Sequence, residues 1–232
     1  MPRCLVLDLD GTLVDSAPDL AAALNRLMAA RDFAPFALPD VKDLIGDGVR
    51  ALLDRAFAAR GGMPDERALA DYMADYAAHV AVATRPYPGT AATLERLADA
   101  GWRMAVCTNK PETLAHAILA ATGLAGFFAA VGGGDSFSTR KPDPAHLRAT
   151  LAMAGEMAAG AAGGAAVMVG DHRNDILAAR AAGLPCIFAL WGYGPRSMAE
   201  GANAVATAWE DIPSLADRLS PLHTNPAATP NP

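Results

Sequence analysis

Short apolar runs alternate with longer segments of helical periodicity through most of the chain. Uninterrupted runs of this kind are typical of strands that are buried on both faces of a parallel sheet. They lie at Cys4–Leu7, Met104–Cys107, Phe127–Val131, Ala165–Val169 and Cys186–Leu190. The helical segments lie at Thr90–Ala100, Pro111–Thr122, Pro144–Ala154 and Asn174–Ala182, and a glycine follows each one. The alternation from residue 85 onward predicts an α/β fold, a Rossmann-like doubly wound parallel sheet.

Residues 16–84 follow a different pattern. Helical periodicity appears there at Pro18–Arg31, Val49–Arg60 and Asp65–Ala83, and no run has the character of a strand. Because this region falls between the first two predicted strands, it interrupts the sheet domain. We therefore expect a sheet domain formed by residues 1–15 and 85–219, with a helical domain inserted at 16–84. Residues 220–232 are rich in Pro, Asn, Thr and Ala, and they are predicted to form a disordered tail.

Charge and composition argue against several classes of protein. The formal net charge is −6, and no basic run is longer than Arg140-Lys141. A nucleic-acid partner needs a basic face, so none is expected. The sequence shows neither an apolar stretch long enough to span a membrane nor an apolar leader at its N-terminus. We therefore expect a cytoplasmic protein without membrane contact, whose three cysteines are buried reduced thiols.

Polar residues stand directly after several predicted strands or just before the next helix. They are Asp8 and Asp10, Thr108, Lys141, and Asp171 with Asp175. Ligands of an open parallel sheet bind beyond the carboxyl ends of its strands, so these side chains are expected to converge. Crowded carboxylates repel one another unless a cation neutralises them, and an oxygen-rich set without His or Cys favours Mg²⁺. A lysine and a threonine hydroxyl suit phosphate oxygens.

Each of these residues, taken singly, has a simpler interpretation. An Asp at a strand end is more often a turn or helix-cap residue. Thr108 alone could cap a helix, and Lys141 alone could be a solvated surface charge. The ordered set is much harder to obtain by chance, so it favours a phosphoryl-transfer site.

The same residues resemble the four motifs of the haloacid dehalogenase superfamily. The matching positions are Asp8–Ser16 for the first motif, Thr108 for the second, Lys141 for the third and Gly170–Asp175 for the fourth. Within the superfamily, the chain is most similar to the phosphoglycolate phosphatase group. The supporting stretches are Arg85–Gly89, Cys107–Pro111, Gly133–Ser136, Arg140–Pro144 and Trp191–Gly194. The resemblance covers all but the C-terminal tail, and it implies that the inserted helices form a cap domain.

The resemblance implies a covalent mechanism centred on the first motif. Asp8 would be the nucleophile and a Mg²⁺ ligand, so that an aspartyl-phosphate forms. Asp10 would protonate the leaving alkoxide and then activate water, while its backbone carbonyl binds the metal. Gly11 permits the sharp turn that brings Asp10 toward the leaving group, and Thr12 supports the motif.

The resemblance also assigns the remaining motif residues. Thr108 and the adjacent backbone at Asn109 would hold phosphate oxygens, and Lys141 would neutralise charge on the nucleophile and the phosphoryl group. Asp171 would complete the metal site. Asp175 would either support the metal through water or orient Lys141.

Asp10 favours a phosphatase over other members of the superfamily, because a departing halide needs no proton. The expected substrate is a small phosphorylated metabolite, with 2-phosphoglycolate first. A sugar phosphate, a nucleotide or pyrophosphate stays open as the substrate, as does a phosphomutase of the β-phosphoglucomutase type. A receiver-like module that is merely phosphorylated on Asp8 is disfavoured, because a receiver is short and has no inserted domain. The protein is expected to be a monomer or a homodimer.

The loop Gly46-Asp47-Gly48, followed by Arg50, is the candidate substrate contact in the insertion. A helix N-terminus that reaches the site would offer N–H groups to an anion, and Arg50 would add a charge-assisted contact. Equally, the loop could be a plain interhelical turn and Arg50 a solvated side chain.

Overall fold

A computed structural model gives the fold and describes residues 3–155 and 166–220. The strands in these ranges are β1 Arg3–Leu7, β2 Val14–Asp15, β3 Arg85–Pro86, β4 Trp102–Cys107, β5 Ala130–Gly132, β6 Ala166–Gly170, β7 Cys186–Ala189 and β8 Ala204–Ala206. The α-helices are α1 Ala17–Ala29, α2 Leu38–Lys42, α3 Val49–Ala59, α4 Ala68–Ala78, α5 Thr90–Asp99, α6 Glu112–Ala121, α7 Pro144–Met153, α8 Arg173–Ala182 and α9 Ile212–Leu219.

Six strands form one parallel sheet in the order β5-β4-β1-β6-β7-β8. The chain runs from β1 outward through β4 and β5, then returns to the other side of β1 for β6, β7 and β8. The strand order therefore reverses beside β1. In folds of this type the crevice at that reversal, beyond the carboxyl ends of the strands, is where ligands bind.

Both faces of the sheet are covered by helices. Leu5 and Leu7 of β1 belong to an apolar cluster with α5, α6 and α9, whereas Cys4 and Val6 belong to a second cluster with α7 and α8. Successive side chains of a strand point to opposite faces, so a strand buried on both faces must be apolar throughout. The predicted fold class is confirmed.

The helices α1 to α4 have an apolar cluster largely of their own. Their segment leaves and re-enters the sheet region through the short antiparallel pair β2–β3, where Val14 lies opposite Pro86. Asp19 joins the two ends, because its carboxylate accepts hydrogen bonds from the N–H groups of Ala83 at 2.9 Å and Thr84 at 2.8 Å. The entry and exit of the helical segment are thus held side by side.

Several predicted boundaries differ from the structure. The helix predicted at Asp65–Ala83 ends at Ala78, because Ala81 has a positive φ of 61° and the following residues bond to Asp19. The strand predicted at Phe127–Val131 begins only at Ala130, since residues 125–127 form a 3-10 turn. The predicted tail at 220–232 lies outside the described residues, except for Ser220, which is buried at the end of α9.

Candidate active site

Asp8 stands at the carboxyl end of β1, where the candidate site begins. Its N–H donates to the carbonyl of Val169 in β6 at 2.9 Å, so sheet pairing fixes its backbone. Gly11 then turns the chain with a φ of +83°. A Cβ on Gly11 would lie 2.2 Å from Asp171 Oδ2, so glycine permits both the turn and the close approach of the two segments.

Lys141 joins two carboxylates from different strand ends. Its Nζ lies 2.9 Å from Asp8 Oδ1 and 2.7 Å from Asp175 Oδ1, and its side chain is only 1% exposed. Although burial opposes the charge, these carboxylates raise the pKa of Lys141, so it is a permanent cation here. Asp175 Oδ2 also accepts the N–H of His172 at 3.0 Å, within the capping box of α8. These contacts favour the orienting role for Asp175.

Asp171 follows β6 and is held by both of its oxygens. Oδ1 accepts the hydroxyl of Thr12 at 2.8 Å, and Oδ2 accepts the N–H of Tyr193 at 2.8 Å. The chain after β7 passes so closely that a Cβ on Gly192 would lie 2.2 Å from Asp171 Cβ. The position of this carboxylate is therefore set by three separate stretches of backbone.

The donor set at this edge suits a hard divalent cation. Carboxylate oxygens of Asp8, Asp171 and Asp175 all lie within 4.8 Å of one another. Burial raises the pKa of Asp171 to about 8, and the charges of Asp8 and Asp175 add to the effect. Burial likewise raises the pKa of Asp8 to about 6, against the opposing charge of Lys141. A bound cation would relieve this repulsion, so the residues fit Mg²⁺.

Thr108 and Asn109 follow β4 and join the same edge. The N–H of Thr108 donates to the carbonyl of Gly132 at 2.9 Å, which extends the pairing of β4 with β5. Asn109 donates through Nδ2 to the carbonyls of Lys141 at 2.9 Å and Gly46 at 3.0 Å. Asn109 therefore connects the third motif to the helical insertion.

Asp10 has contacts that the sequence did not predict. It accepts a hydrogen bond from the Ser16 hydroxyl, and its Oδ2 lies 3.1 Å from Lys110 Nζ. Lys110 also donates to the hydroxyl of Tyr76 in α4 at 2.8 Å. The phenol of Tyr193 accepts the N–H groups of Ser16 and Ala17 at 2.8 and 2.9 Å, at the start of α1. Lys110 and Tyr193 stand within recognised motif stretches, which is the one sequence signal for them, whereas nothing marks Tyr76.

The loop at residues 46–48 reaches the site through its glycines, but neither Asp47 nor the nearby Arg50 lines the cavity. Gly46 and Gly48 line the cavity over Asp8, and α3 begins at the next residue, Val49. Asp47 accepts from Asn174 Nδ2 at 2.6 Å and pairs with Arg55. Arg50 is exposed and lines a different groove. The backbone of the loop therefore lies at this cavity, whereas Arg50 is not among the described residues that line it.

The cavity lies between the strand ends and the helical insertion. Its floor contains Asp8, Asp10, Thr108 and Asp171, and its other wall is apolar, with Leu20, Ile45, Val49 and Leu52. A concave, largely apolar space with a few convergent polar groups is typical of a small-molecule site. No helix in the described ranges combines the length and apolar character needed to cross a membrane.

Comparison with known proteins places the chain in a family. Residues 2–183 match the haloacid dehalogenase-like hydrolases, so the chain belongs to that family. It is 43% identical to a phosphoglycolate phosphatase of Rhodospirillum rubrum, over 94% of this chain and 91% of the relative. It is 45% identical to one from Cereibacter sphaeroides, over 83% and 86%. These findings confirm the family and the phosphatase class predicted from the sequence.

A solved structure has the same architecture. A protein of Haemophilus somnus, described as a predicted phosphoglycolate phosphatase, superimposes with a TM-score of 0.80 at 28% identity. The match covers 92% of this chain and 97% of that one. The similarity therefore extends through both the sheet and the helical insertion.

Proposed function

We propose that the chain is a Mg²⁺-dependent phosphomonoester hydrolase that converts 2-phosphoglycolate to glycolate and phosphate. The observation that carries the proposal is the buried chain Asp8–Lys141–Asp175, set beside Asp171 at a cavity that also contains Asp10. It supplies a carboxylate nucleophile, a fixed cation and a second carboxylate for proton transfer. The substrate follows from the curated relatives, which are named phosphoglycolate phosphatase.

Asp8 and Asp171, together with the backbone carbonyl of Asp10, would hold the Mg²⁺. When bound, the ion would neutralise charge on the phosphoryl oxygens and on the crowded carboxylates. Asp175 lies in the same carboxylate cluster, but Lys141 and the N–H of His172 already engage its oxygens. We therefore assign Asp175 to positioning Lys141.

In the first step, a carboxylate oxygen of Asp8 attacks phosphorus and the bond from phosphorus to the ester oxygen breaks. Asp10 gives its proton to that oxygen, and glycolate leaves. The phosphoryl group stays on Asp8 as an aspartyl-phosphate. Lys141 balances charge at Asp8, and Thr108 donates to a phosphoryl oxygen.

In the second step, Asp10 takes a proton from water, which attacks the phosphorus of the aspartyl-phosphate. The bond from phosphorus to Asp8 breaks, phosphate leaves and the carboxylate is restored. Asp10 is thereby protonated again and ready for the next substrate. One carboxylate can serve both steps, because the acid of the first is the base of the second.

The inserted helices would act as a cap domain of residues 16–84 over a core of residues 1–15 and 85–219. The side-by-side entry and exit at β2–β3 support this division, as does the largely separate apolar cluster. A cap would exclude bulk water from the site while the phosphoryl group passes from the substrate to Asp8. The cytoplasmic location and the monomeric or homodimeric state stay predictions.

Phosphate release from a panel of metabolites tests the proposal. The panel contains 2-phosphoglycolate, glucose 6-phosphate, a nucleoside monophosphate and pyrophosphate, each with Mg²⁺ and with EDTA. We expect the highest kcat/KM for 2-phosphoglycolate and no turnover in EDTA. Preference for a hexose phosphate would contradict the substrate, and full activity in EDTA would contradict the metal.

A further inference from the structure

Lys110 is a buried cation that none of the assigned catalytic roles explains. It lies two residues after Thr108, and only 4% of its side chain is exposed. Its Nζ lies 3.1 Å from Asp10 Oδ2, 2.8 Å from the Tyr76 hydroxyl and 4.6 Å from the centre of the Tyr76 ring. The ammonium is therefore held between the acid–base carboxylate of the core and an aromatic residue of the insertion.

The cavity gives this ammonium a distinctive position. Among the described residues that line the cavity, Lys110 is the only lysine or arginine. The wall contributed by the insertion is otherwise apolar, with Leu20, Val49 and Leu52. An anionic group at the end of a substrate would meet little else of opposite charge there. A buried anion needs such a partner, because desolvation of a lone carboxylate is costly.

We propose that Lys110 binds the carboxylate of the substrate and so determines specificity for a small phosphorylated acid. This inference rests on the proposed function. In 2-phosphoglycolate one CH₂ group separates the ester oxygen from the carboxylate. When Asp10 faces the ester oxygen, a cation within hydrogen-bonding distance of Asp10 is placed to reach the carboxylate.

The contacts of Lys110 are compatible with a third partner. An ammonium has three N–H donors, and here they face Asp10 Oδ1 at 3.2 Å, Asp10 Oδ2 at 3.1 Å and the Tyr76 hydroxyl at 2.8 Å. A substrate carboxylate would replace one of the two contacts with Asp10. Asp10 is also bonded to Ser16, so it keeps an internal partner when the ammonium turns toward a ligand. The ring of Tyr76, whose centre lies 4.6 Å from Nζ, helps to hold the ammonium without neutralising it. Lys110 is thus positioned before the substrate arrives.

The test compares two phosphate esters of similar size, 2-phosphoglycolate and 2-hydroxyethyl phosphate. In the second, an uncharged CH₂OH group replaces the carboxylate, and it is called the neutral ester for that reason. Lys110→Met is assayed on both, and Lys42→Met is the matched control. Lys42 pairs with Asp15, and its Nζ lies 5.3 Å from the ring centre of Tyr193, but Lys42 itself does not line the cavity. We expect Lys110→Met to reduce the preference of kcat/KM for the acid over the neutral ester by about 10- to 100-fold, the worth of a charge-assisted hydrogen bond. Lys42→Met should leave that preference unchanged.

An equal loss of kcat/KM on both esters would overturn the inference, because it would mean that Lys110 acts only by positioning Asp10. Turnover of the neutral ester by Lys110→Met shows that the site is folded. Should that turnover be lost, the ratio of kcat/KM for the two esters is measured on Lys110→Gln and Lys110→Arg instead. Of these two variants, only Lys110→Arg should retain a preference for the acid. If the wild-type enzyme does not hydrolyse 2-phosphoglycolate, the proposed function itself fails, which is a different result.

Discussion

The two walls of the cavity are built in different ways. On the core side, Asp8, Lys141 and Asp175 form one buried ion-pair chain anchored on strand ends. On the insertion side, dispersed side-chain contacts hold the helices to the core, such as the hydrogen bonds from Asn109 to the carbonyl of Gly46 and from Lys110 to Tyr76. The charged groups on the core side are therefore linked to one another, whereas the contacts that hold the insertion can break separately.

This difference predicts that substitutions in the two walls will have different effects. Changes on the core side should abolish turnover or lower stability, because buried charges lose their partners. Changes on the insertion side should alter KM and substrate preference, because they affect closure and contact with the leaving group.

Asp8→Asn should have the largest effect. The amide keeps the shape of the side chain but is a very poor nucleophile, so kcat should fall by about 10⁴-fold or more. Steady-state phosphate release measures the loss. Asp99→Asn, an exposed change at the end of α5, is the control and should be active. Substantial turnover by Asp8→Asn would refute the nucleophile assignment.

Lys141→Met should destabilise the protein as well as inactivate it. The change leaves two buried carboxylates without their cation, and removal of one partner of a buried pair typically costs about 3–5 kcal/mol. Urea unfolding in EDTA measures the free energy without interference from a bound ion. Lys42→Met, whose lysine is one-third exposed, should lose less than about 1 kcal/mol. A comparable loss of unfolding free energy in both variants would mean that the buried ion pairs of Lys141 stabilise the protein no more than the partly exposed pair of Lys42.

The metal-free protein should become less stable as the pH rises. The pKa of Asp171 is about 8 in the folded protein, against an ordinary pKa of 3.8. At any pH between these two values, the folded state therefore binds more protons than the unfolded state. The free energy of unfolding should therefore fall by up to about 1.4 kcal/mol per pH unit.

Urea unfolding in EDTA between about pH 6, near the pKa of Asp8, and pH 8 gives this slope, and Asp171→Asn should flatten it. Mg²⁺ should restore stability at the upper end of the range, because it favours the charged carboxylates. A slope that is identical in the wild type and in Asp171→Asn would contradict the explanation.

Much of this contrast could be predicted from the sequence, but not equally for the two walls. The apolar runs of β1 and β6 are strong local signals, and Asp8 and Asp171 come directly after them. By contrast, β8 is only the three-residue run Ala204–Ala206 with Val205 exposed, and so short a run does not distinguish a strand from a loop. The contact between Lys110 and Tyr76 joins residues 34 positions apart through the docking of α4, which no local pattern encodes.

Gly46→Ala should affect substrate binding more than folding. A Cβ there would lie 2.7 Å from the ring of His172, and φ is +126°, so the loop must shift away from the core. A cost of about 1–2 kcal/mol in closure would raise KM by roughly 5- to 30-fold. Gly61→Ala is the matched control, because φ is +76° there but no atom lies within 4 Å. An equal KM for the two variants would show that the loop does not need its contact with the core.

Arg50→Ala should have the smallest effect, and for that reason it sharpens the assignment of Lys110. Two cations near the insertion are candidates for a substrate carboxylate, but Arg50 is exposed and faces a groove with Asp54 and Glu66, whereas Lys110 lines the cavity. Loss of a solvated charge should change kcat/KM for 2-phosphoglycolate by less than about twofold. If Arg50→Ala instead raised KM tenfold for the acid and not for 2-hydroxyethyl phosphate, Arg50 would reach the substrate when the insertion closes. Arg50 would then bind the substrate carboxylate, and the role of Lys110 would be limited to its contact with Asp10.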